Sequence, residues 1–519
     1  MSSRCSECGA LKNSDVEADS DVPTISPPYG ADLSILQAVE ARTTARLLSL
    51  DDEICGLKQR IQHLEGRRAE VLGQQKRSST ILSPLRRMPP EVLVEIFSWT
   101  LPLLEEMDGD VSDLQDCPWV LTQVCSRWRA ISVATPSFWS TVFVDFNGGP
   151  GVHLDMVQTQ VDRSQLLRVH FIGSEAHDSA PQIEMFQLLS KHSHRWERLD
   201  IHLTAAVASQ LGTLNLSSLS RLWLQWDTEE SEEGLESIDS FESAPSLFDV
   251  GYMNESRPVP FLFPAHQITC YRVRAPWATH QSALRMAPDL IEARITVVFD
   301  EDDWSDLWPS DEPILTAHLR HLYVSDVKIL DYIQAPVLAE LAFGIKEEDT
   351  RIGEVLDSFF LRSSCTPQRL CVQGQVDANI TTAILGKYSF ISRIALSFFY
   401  GDLVDVTRLT DEIDAHLDML TLGNSNGVSP HLQEICFGSM APFPFPVDYS
   451  RFIKMLKSRR TPGAALVSAV FLTEYGSEPT ELETLSLDEL KRDGLSLEVS
   501  SGMIARKCLQ CWTYGCPWN

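Results

Sequence analysis

What this sequence lacks narrows it before anything else does. Among its 519 residues there is no apolar run of the length a membrane-spanning helix needs. The first stretch, Met1 to Asp15, is polar and has no hydrophobic segment, so a secretory signal is not expected. Cysteine is thin, 12 in the whole chain, too few for a disulfide scaffold. Unpaired thiols in a reducing compartment, cytoplasmic or nuclear, are the expectation. Basic residues are outnumbered, 43 Lys and Arg against 72 Asp and Glu, for a net charge of −29. A surface that acidic repels phosphate backbones, which argues against nucleic acid as a partner.

Motifs that carry chemistry are missing too. The chain has no phosphate-cradling G-x-x-x-x-G-K loop, no H-E-x-x-H helix, no G-x-S-x-G turn and no EF-hand loop. His192 and His194 stand near Trp196 with no matching ligand cluster and read as surface residues. Cys5-x-x-Cys8 and Cys508-x-x-Cys511, with Cys516, have zinc-like spacing locally but lie at opposite ends of the chain. No metal, cofactor or catalytic residue is expected, and the chain reads as a binding protein rather than an enzyme.

What is present is core-forming material. Hydrophobic residues make up 44% and charged residues 22%, an ordinary balance for a folded chain. The length suggests several units or one long repeat array. Residues 1–32 are rich in Ser, Asp, Pro and Gly and read as a disordered tail. Residues 33–77 read as one helix. Apolar residues fall at Leu33, Leu36, Leu47, Leu50, Ile54, Leu57, Ile61, Leu64 and Val71, in the alternating steps of three and four that mark a heptad seam. Glu40, Thr43 and Arg68 interrupt it, and Gly56, Gly66 and Gly73 sit off it. Each glycine costs about 1 kcal/mol relative to alanine, so the helix needs a partner surface. Its own chain, a second copy through residues 33–72, or a foreign helix are the three candidates. Residues 42–87 carry ten basic against five acidic residues, whereas the body downstream is acidic, with runs at 227–233 and 300–303 that read as solvated loops.

Residues 81–146 form a small all-helical segment. Pro89 and Pro90 suit a helix start, Glu91 suits its first turn, and Val92, Leu93, Ile96 and Phe97 make an apolar stripe. An acidic insert from Glu105 to Asp116 precedes a second helix, Trp119 to Ser132, whose Leu121, Val124, Cys125, Trp128 and Ile131 share one face. A turn at Pro136 closes the segment on Phe138 and Trp139. Four ordered blocks here resemble the F-box: Met88-Pro89-Pro90-Glu91-Val92-Leu93, Ile96-Phe97, Val124-Cys125-Ser126-Arg127-Trp128 and Pro136-Ser137-Phe138-Trp139. Together with the heptad helix upstream, they resemble F-box proteins expanded in mushroom-forming fungi. Met88 stands where that family has Leu, a volume-conserving change. The insert between Trp99 and Pro118 is longer than the family's usual link.

The resemblance implies docking to a Skp adaptor, and through it to a cullin–RING ubiquitin ligase. It implies an adaptor-binding set of Pro89, Leu93, Ile96, Phe97, Leu121, Val124, Cys125, Trp128 and Trp139. A small helical unit cannot bury so many large apolar groups internally, so Leu93, Ile96, Phe97, Val124, Cys125 and Trp128 are expected to form a patch that demands another surface.

Within residues 160–500, the expected substrate-binding region, the stretch from about 195 to 475 hides a degenerate repeat, apolar-x-x-apolar-x-apolar. Nine copies run from Trp196-Glu197-Arg198-Leu199-Asp200-Ile201 to Leu432-Gln433-Glu434-Ile435-Cys436-Phe437. Their central residues step by 23, 28, 21, 22, 29 and 19 as far as Leu341, the period of leucine-rich repeats. Ala-Pro-x-Leu opens three of them, at Ala244, Ala287 and Ala335. The fold class expected is α/β: a coiled-coil-like helix, an all-α F-box, then a leucine-rich-repeat-like β/α solenoid, with residues 501–519 as a tail. In such an array the intervening residues face a binding surface. Trp223, Arg272, Arg294, His321 and Tyr323, types that anchor partners, are the expected contacts for a protein substrate.

Overall fold

Two features of the chain set its architecture. No proline occurs between Asp32 and Leu82, and strand-length apolar patterns recur downstream. The computed structural model describes residues 32–82, 84–101, 118–147, 153–228, 231, 236–253, 259–297, 312–345, 351–399, 406–423, 428–440, 443–460 and 465–514. The tail to residue 31, the insert from Glu105 to Asp116, the run 300–303 and most of 227–233 lie outside these residues. The chain divides into two units, Met1–Leu93 and Val94–Asn519.

The first unit is dominated by α1 (Asp32–Leu82), a single helix of 51 residues. At 1.5 Å per residue it is about 77 Å long. It extends past residue 77, where the sequence reading ended it, to Leu82, two residues before Pro84. From Leu33 to Ser79 its side chains are exposed apart from the half-buried position at Gly73. Short α2 (Pro84–Arg87) and α3 (Pro90–Ser98) each begin on a proline, whose missing N–H has no intrahelical partner to lose at that position.

In the second unit α4 (Trp119–Val124) and α5 (Ser126–Val133) replace the single helix expected from Trp119 to Ser132. Cys125 breaks it: its backbone is extended at φ −161°, and its sulfur caps α5 by accepting from the Trp128 N–H.

Strands and helices then alternate. The order is β1 (Thr141–Asp145), α6 (Leu154–Arg163), β2 (Leu167–Ile172), α7 (Ser179–Ser190), β3 (Trp196–Leu203), α8 (Ala205–Ala208), β4 (Arg221–Trp226), β5 (Asp249–Met253), β6 (Cys270–Ala275), α9 (Trp277–Met286) and β7 (Glu292–Val297). It continues through β8 (Ile314–Leu315), β9 (His321–Val324), β10 (Ile333–Gln334), β11 (Glu340–Ile345), α10 (Ile352–Ser363), β12 (Arg369–Gly374), α11 (Ala378–Lys387), β13 (Arg393–Phe399) and α12 (Val406–Leu420). It ends with β14 (Glu434–Met440), α13 (Tyr449–Ser458), β15 (Ser468–Thr473), α14 (Glu481–Arg492), β16 (Ser496–Ser501) and α15 (Gly502–Tyr514).

Except for β8 and β10, which pair only with each other, the strands form one 14-stranded sheet in chain order. Every pairing in it is parallel, so each connection must cross over one face. The register is continuous: Leu199, Leu222, Val250, Tyr271, Ala293, Leu322, Leu341, Leu370, Ile394 and Ile435 are successive Cα partners. This row, the row two residues on and the apolar faces of the crossover helices make one buried cluster. The opposite face of the sheet is the open face.

All nine copies of the repeat lie on strands, namely β3, β4, β5, β6, β7, β9, β11, β13 and β14. The array is longer than the sequence reading made it. It starts at Thr141, inside the segment 81–146, and β2, β12, β15 and β16 complete it. The expected tail is also different: α15 buries Ala505 and Leu509 against Cys436 and Leu472 on the open face. The fold is therefore mixed α/β, with a long N-terminal helix and a large parallel sheet. No described helix is long and apolar enough to cross a membrane.

Candidate docking site

The helical segment before the sheet owes its shape to aromatic interlocking. Phe97 of α3 lies 4.5 Å from Trp128 of α5, centroid to centroid, and 6.3 Å edge-on from Phe138. Trp119 packs edge-on against Trp139 at 4.9 Å. The Trp139 indole N–H donates to the Ser132 carbonyl at 2.8 Å, and the Arg163 guanidinium of α6 sits 4.4 Å from its ring. Trp139 is thus fixed between α5 and the first crossover helix, one residue before the residue preceding β1.

The nine sequence-assigned residues differ in exposure, and of the six expected in the patch Leu93 and Phe97 are buried instead. Leu93, Phe97, Leu121 and Trp139 are buried, at 0%, 1%, 4% and 0% exposure. Phe97 and Trp139 find ring partners within Val94–Asn519. Trp128 is half-buried. Pro89, Ile96, Val124 and Cys125 are exposed. Trp99, which the sequence reading passed over, is the most exposed large apolar group here at 81%. Its spacing of three from Ile96 was the available signal.

The open face of the sheet carries the other five. Trp223, Arg272, Arg294 and Tyr323 lie in one register row, and His321 lies two residues earlier on β9. They do face away from the main core, but most are engaged. Arg272 bridges Asp249 at 3.0 Å and Glu292 at 2.9 Å. Arg294 stacks on the Tyr323 ring at 3.9 Å, and both are buried. The Trp223 indole lies across Gly251, where an added Cβ would meet it at 2.1 Å. His321 and Trp223 are half-buried. Farther toward β1, Asp200 accepts from His170 and Arg198, both at 2.9 Å. Burial pulls the Asp200 carboxyl up, but its bonds to His170 and Arg198 outweigh burial and hold it below the usual range. Burial pushes the neighbouring Asp249 carboxyl up, and Arg272 only partly offsets that.

His280 is fully buried and its pKa falls to about 4 through burial, but Tyr271 at 2.8 Å and the Thr296 carbonyl at 3.1 Å occupy its two nitrogens. The Cys371 thiol is pushed up to about 12 by burial, which keeps it protonated and unreactive. A cavity of about 500 Å³ between β6 and α9 is lined by apolar and hydroxyl groups, with Tyr252 as its one titratable residue. Among the described residues no three His, Cys, Asp or Glu side chains are placed to hold a metal ion. Cys5, Cys8 and Cys516 lie outside those residues. His192 is half-buried and His194 exposed.

No protein-family model matches the chain, and comparison with curated proteins returns no match.

Proposed function

We propose that this chain is a non-enzymatic docking protein. More particularly, it is an F-box adaptor that joins a protein substrate to a Skp–cullin–RING ubiquitin ligase. One coincidence carries the reading. Three of the four sequence blocks that resemble the F-box, those holding Phe97, Trp128 and Phe138, meet in one aromatic-locked helical segment, and that segment still leaves Ile96, Trp99 and Val124 exposed at 40%, 81% and 56%. Large apolar groups left in water beside a satisfied interior are what a docking surface offers. The parallel strand array then serves as a leucine-rich-repeat-like solenoid whose open face holds the substrate. Ubiquitin transfer would gain from effective concentration alone, with bond chemistry left to the ligase. The protein would work in the cytoplasm or nucleus.

The burial pattern decides which variants test this. Phe97→Ala or Trp139→Ala would hollow the segment and confuse folding with docking. Ile96→Asp with Val124→Asp changes only exposed positions. That pair is expected to weaken adaptor capture by roughly 30-fold or more, while the melting temperature stays within a few degrees. Undiminished binding of a Skp adaptor by the double variant, measured by titration calorimetry, sinks the assignment.

A further inference from the structure

We infer that α1 joins two copies of this chain as a parallel, in-register, two-stranded coiled coil. The seam is exposed along its length: Leu47, Leu50, Ile54, Leu57, Ile61 and Leu64 range from 47% to 62% exposure. A helix of 51 residues is long enough to span many heptads, but with its seam in water it lacks the packing that stabilises isolated helices. Something must cover that seam, and the residue types name the occupant.

The steps of three and four place Leu47, Ile54 and Ile61 at the first core position of successive heptads, and Leu50, Leu57 and Leu64 at the second. β-Branched residues at the first with leucine at the second favour two parallel strands over trimers or tetramers. Glu40, Arg68 and Gln75 also fall at first core positions and interrupt the seam, so its continuous apolar stretch runs from Leu47 to Leu64. The glycines Gly56, Gly66 and Gly73 fall on outward positions and do not interrupt the seam.

Charge complementarity selects a second copy over a foreign helix. In a parallel pair each flanking residue meets the one five positions further along the partner. Arg46 then meets the partner's Asp51, Glu53 meets the partner's Lys58, and Arg60 meets the partner's Glu65. All three pairs are opposite in sign, and symmetry makes each occur twice. An antiparallel pairing that sets Lys58 against the partner's Lys58 would also set Asp51 against the partner's Glu65, both like in sign. The charge order is self-complementary in a parallel, in-register pair of this chain.

Light scattering on the full chain tests this. The expected mass is that of two 58.2 kDa chains, with dissociation favoured by salt because exposed ion pairs are screened. Leu57→Asp should give a monomer whose far-ultraviolet helicity falls while the melt of the sheet is unchanged. Arg60→Glu alone and Glu65→Arg alone should each weaken association by roughly ten-fold, since each turns two attractions into repulsions. Mixing the Arg60→Glu chain with the Glu65→Arg chain should restore it, and only a parallel, in-register pairing brings those positions together. A monomeric parent, a dimer that survives Leu57→Asp, or a mixture no tighter than its components overturns the inference. None of these outcomes depends on adaptor binding.

Discussion

The two halves of the open face follow different rules on a shared scaffold. From β2 to β6 the strands mostly alternate buried and accessible residues, and the accessible row holds His170, Asp200, Trp223 and Arg272. From β9 onward the same row reads Tyr323, Ala342, Cys371, Ala395 and Cys436, all buried. A strand buried on both faces reads as a near-continuous apolar run, as Leu370-Cys371-Val372 does. The helix face is alike throughout, so the difference reflects what each half must present. The first half offers charge arranged in cross-strand pairs. The second offers a row that is apolar from Tyr323 to Cys436 beside the charged pair Arg369–Glu434 at 3.1 Å, and at its far end α15 lies on it. The long acidic runs in the sequence obscure this, because the polar half of the sheet is balanced internally: Arg272 serves two carboxylates at once.

The largest effect is expected where α15 covers the second half. Leu509 is 1% exposed in the cluster with Cys436 and Leu472. Leu509→Asp would bury an unpaired charge there, so α15 should detach rather than accept it, at a cost of about 3–4 kcal/mol. Hydrogen exchange would locate the damage. Amides of β14 to β16 should lose protection while those of β2 to β6 keep theirs, as expected of an array in which each unit contacts its neighbours. Loss of protection across the whole sheet would show that the halves are one cooperative unit, and the comparison would fail.

How much of this was legible depends on the spacing of apolar residues. Nine strands could be read because each has an apolar residue three before and two after its central one. The same unit occurs at Trp139-x-x-Val142-x-Val144 and Leu166-x-x-Val169-x-Phe171, so β1 and β2 were also readable; they were missed because the aromatic helical segment and a helix with charged residues flank them. β12 was not readable, since Pro367 stands where the leading apolar residue belongs. The docking segment was legible as a motif but not as a surface. Periodicity places Phe97 and Val124 on apolar stripes alike, yet Phe97 is 1% exposed and Val124 56%. α15 was illegible for a similar reason: its cysteines drew attention as zinc-like spacing, while its role depends on an apolar open face that becomes visible only once the strands are aligned.

A middle-sized effect belongs to the polar half. Arg272→Met removes the cation between Asp249 and Glu292, whose side chains are only 11% and 14% exposed. Two carboxylates would then share a partly buried site, and about 2–3 kcal/mol should be lost at neutral pH. The pH dependence has a definite sign. The Asp249 carboxyl already sits above its ordinary value through burial, and loss of Arg272 raises it further. A carboxyl raised on folding contributes stability below its unfolded pKa and loses it as pH rises through the folded value. The gap between variant and parent melts should therefore narrow as pH falls toward about 5. Acid titration of Asp200, which is lowered on folding, acts in the opposite sense but equally in both proteins. A gap that widens in acid would mean the Asp249 carboxyl is not the strained group.

The smallest effect probes the seam between the halves' styles, at Gly251. This glycine sits in the polar row between Trp223 and Arg272, yet it is buried. The indole covers it: a Cβ there would lie 2.1 Å from one ring carbon and 2.6 Å from the next. No positive φ requires glycine at this position, so the constraint is contact alone. Gly251→Ala should force the Trp223 ring aside and cost about 1–2 kcal/mol, the range of a small overpacking change. Trp223→Ala removes the obstacle, and adding Gly251→Ala to it should cost almost nothing. The coupling energy from the four melts should then be close to the whole cost of the single glycine change. Additive costs would place the indole elsewhere and release Trp223 as a free side chain on the open face. Strong coupling would mean that Trp223 is held flat against the sheet. A partner would then meet the broad face of the ring, already ordered before binding, and lose little side-chain entropy in using it.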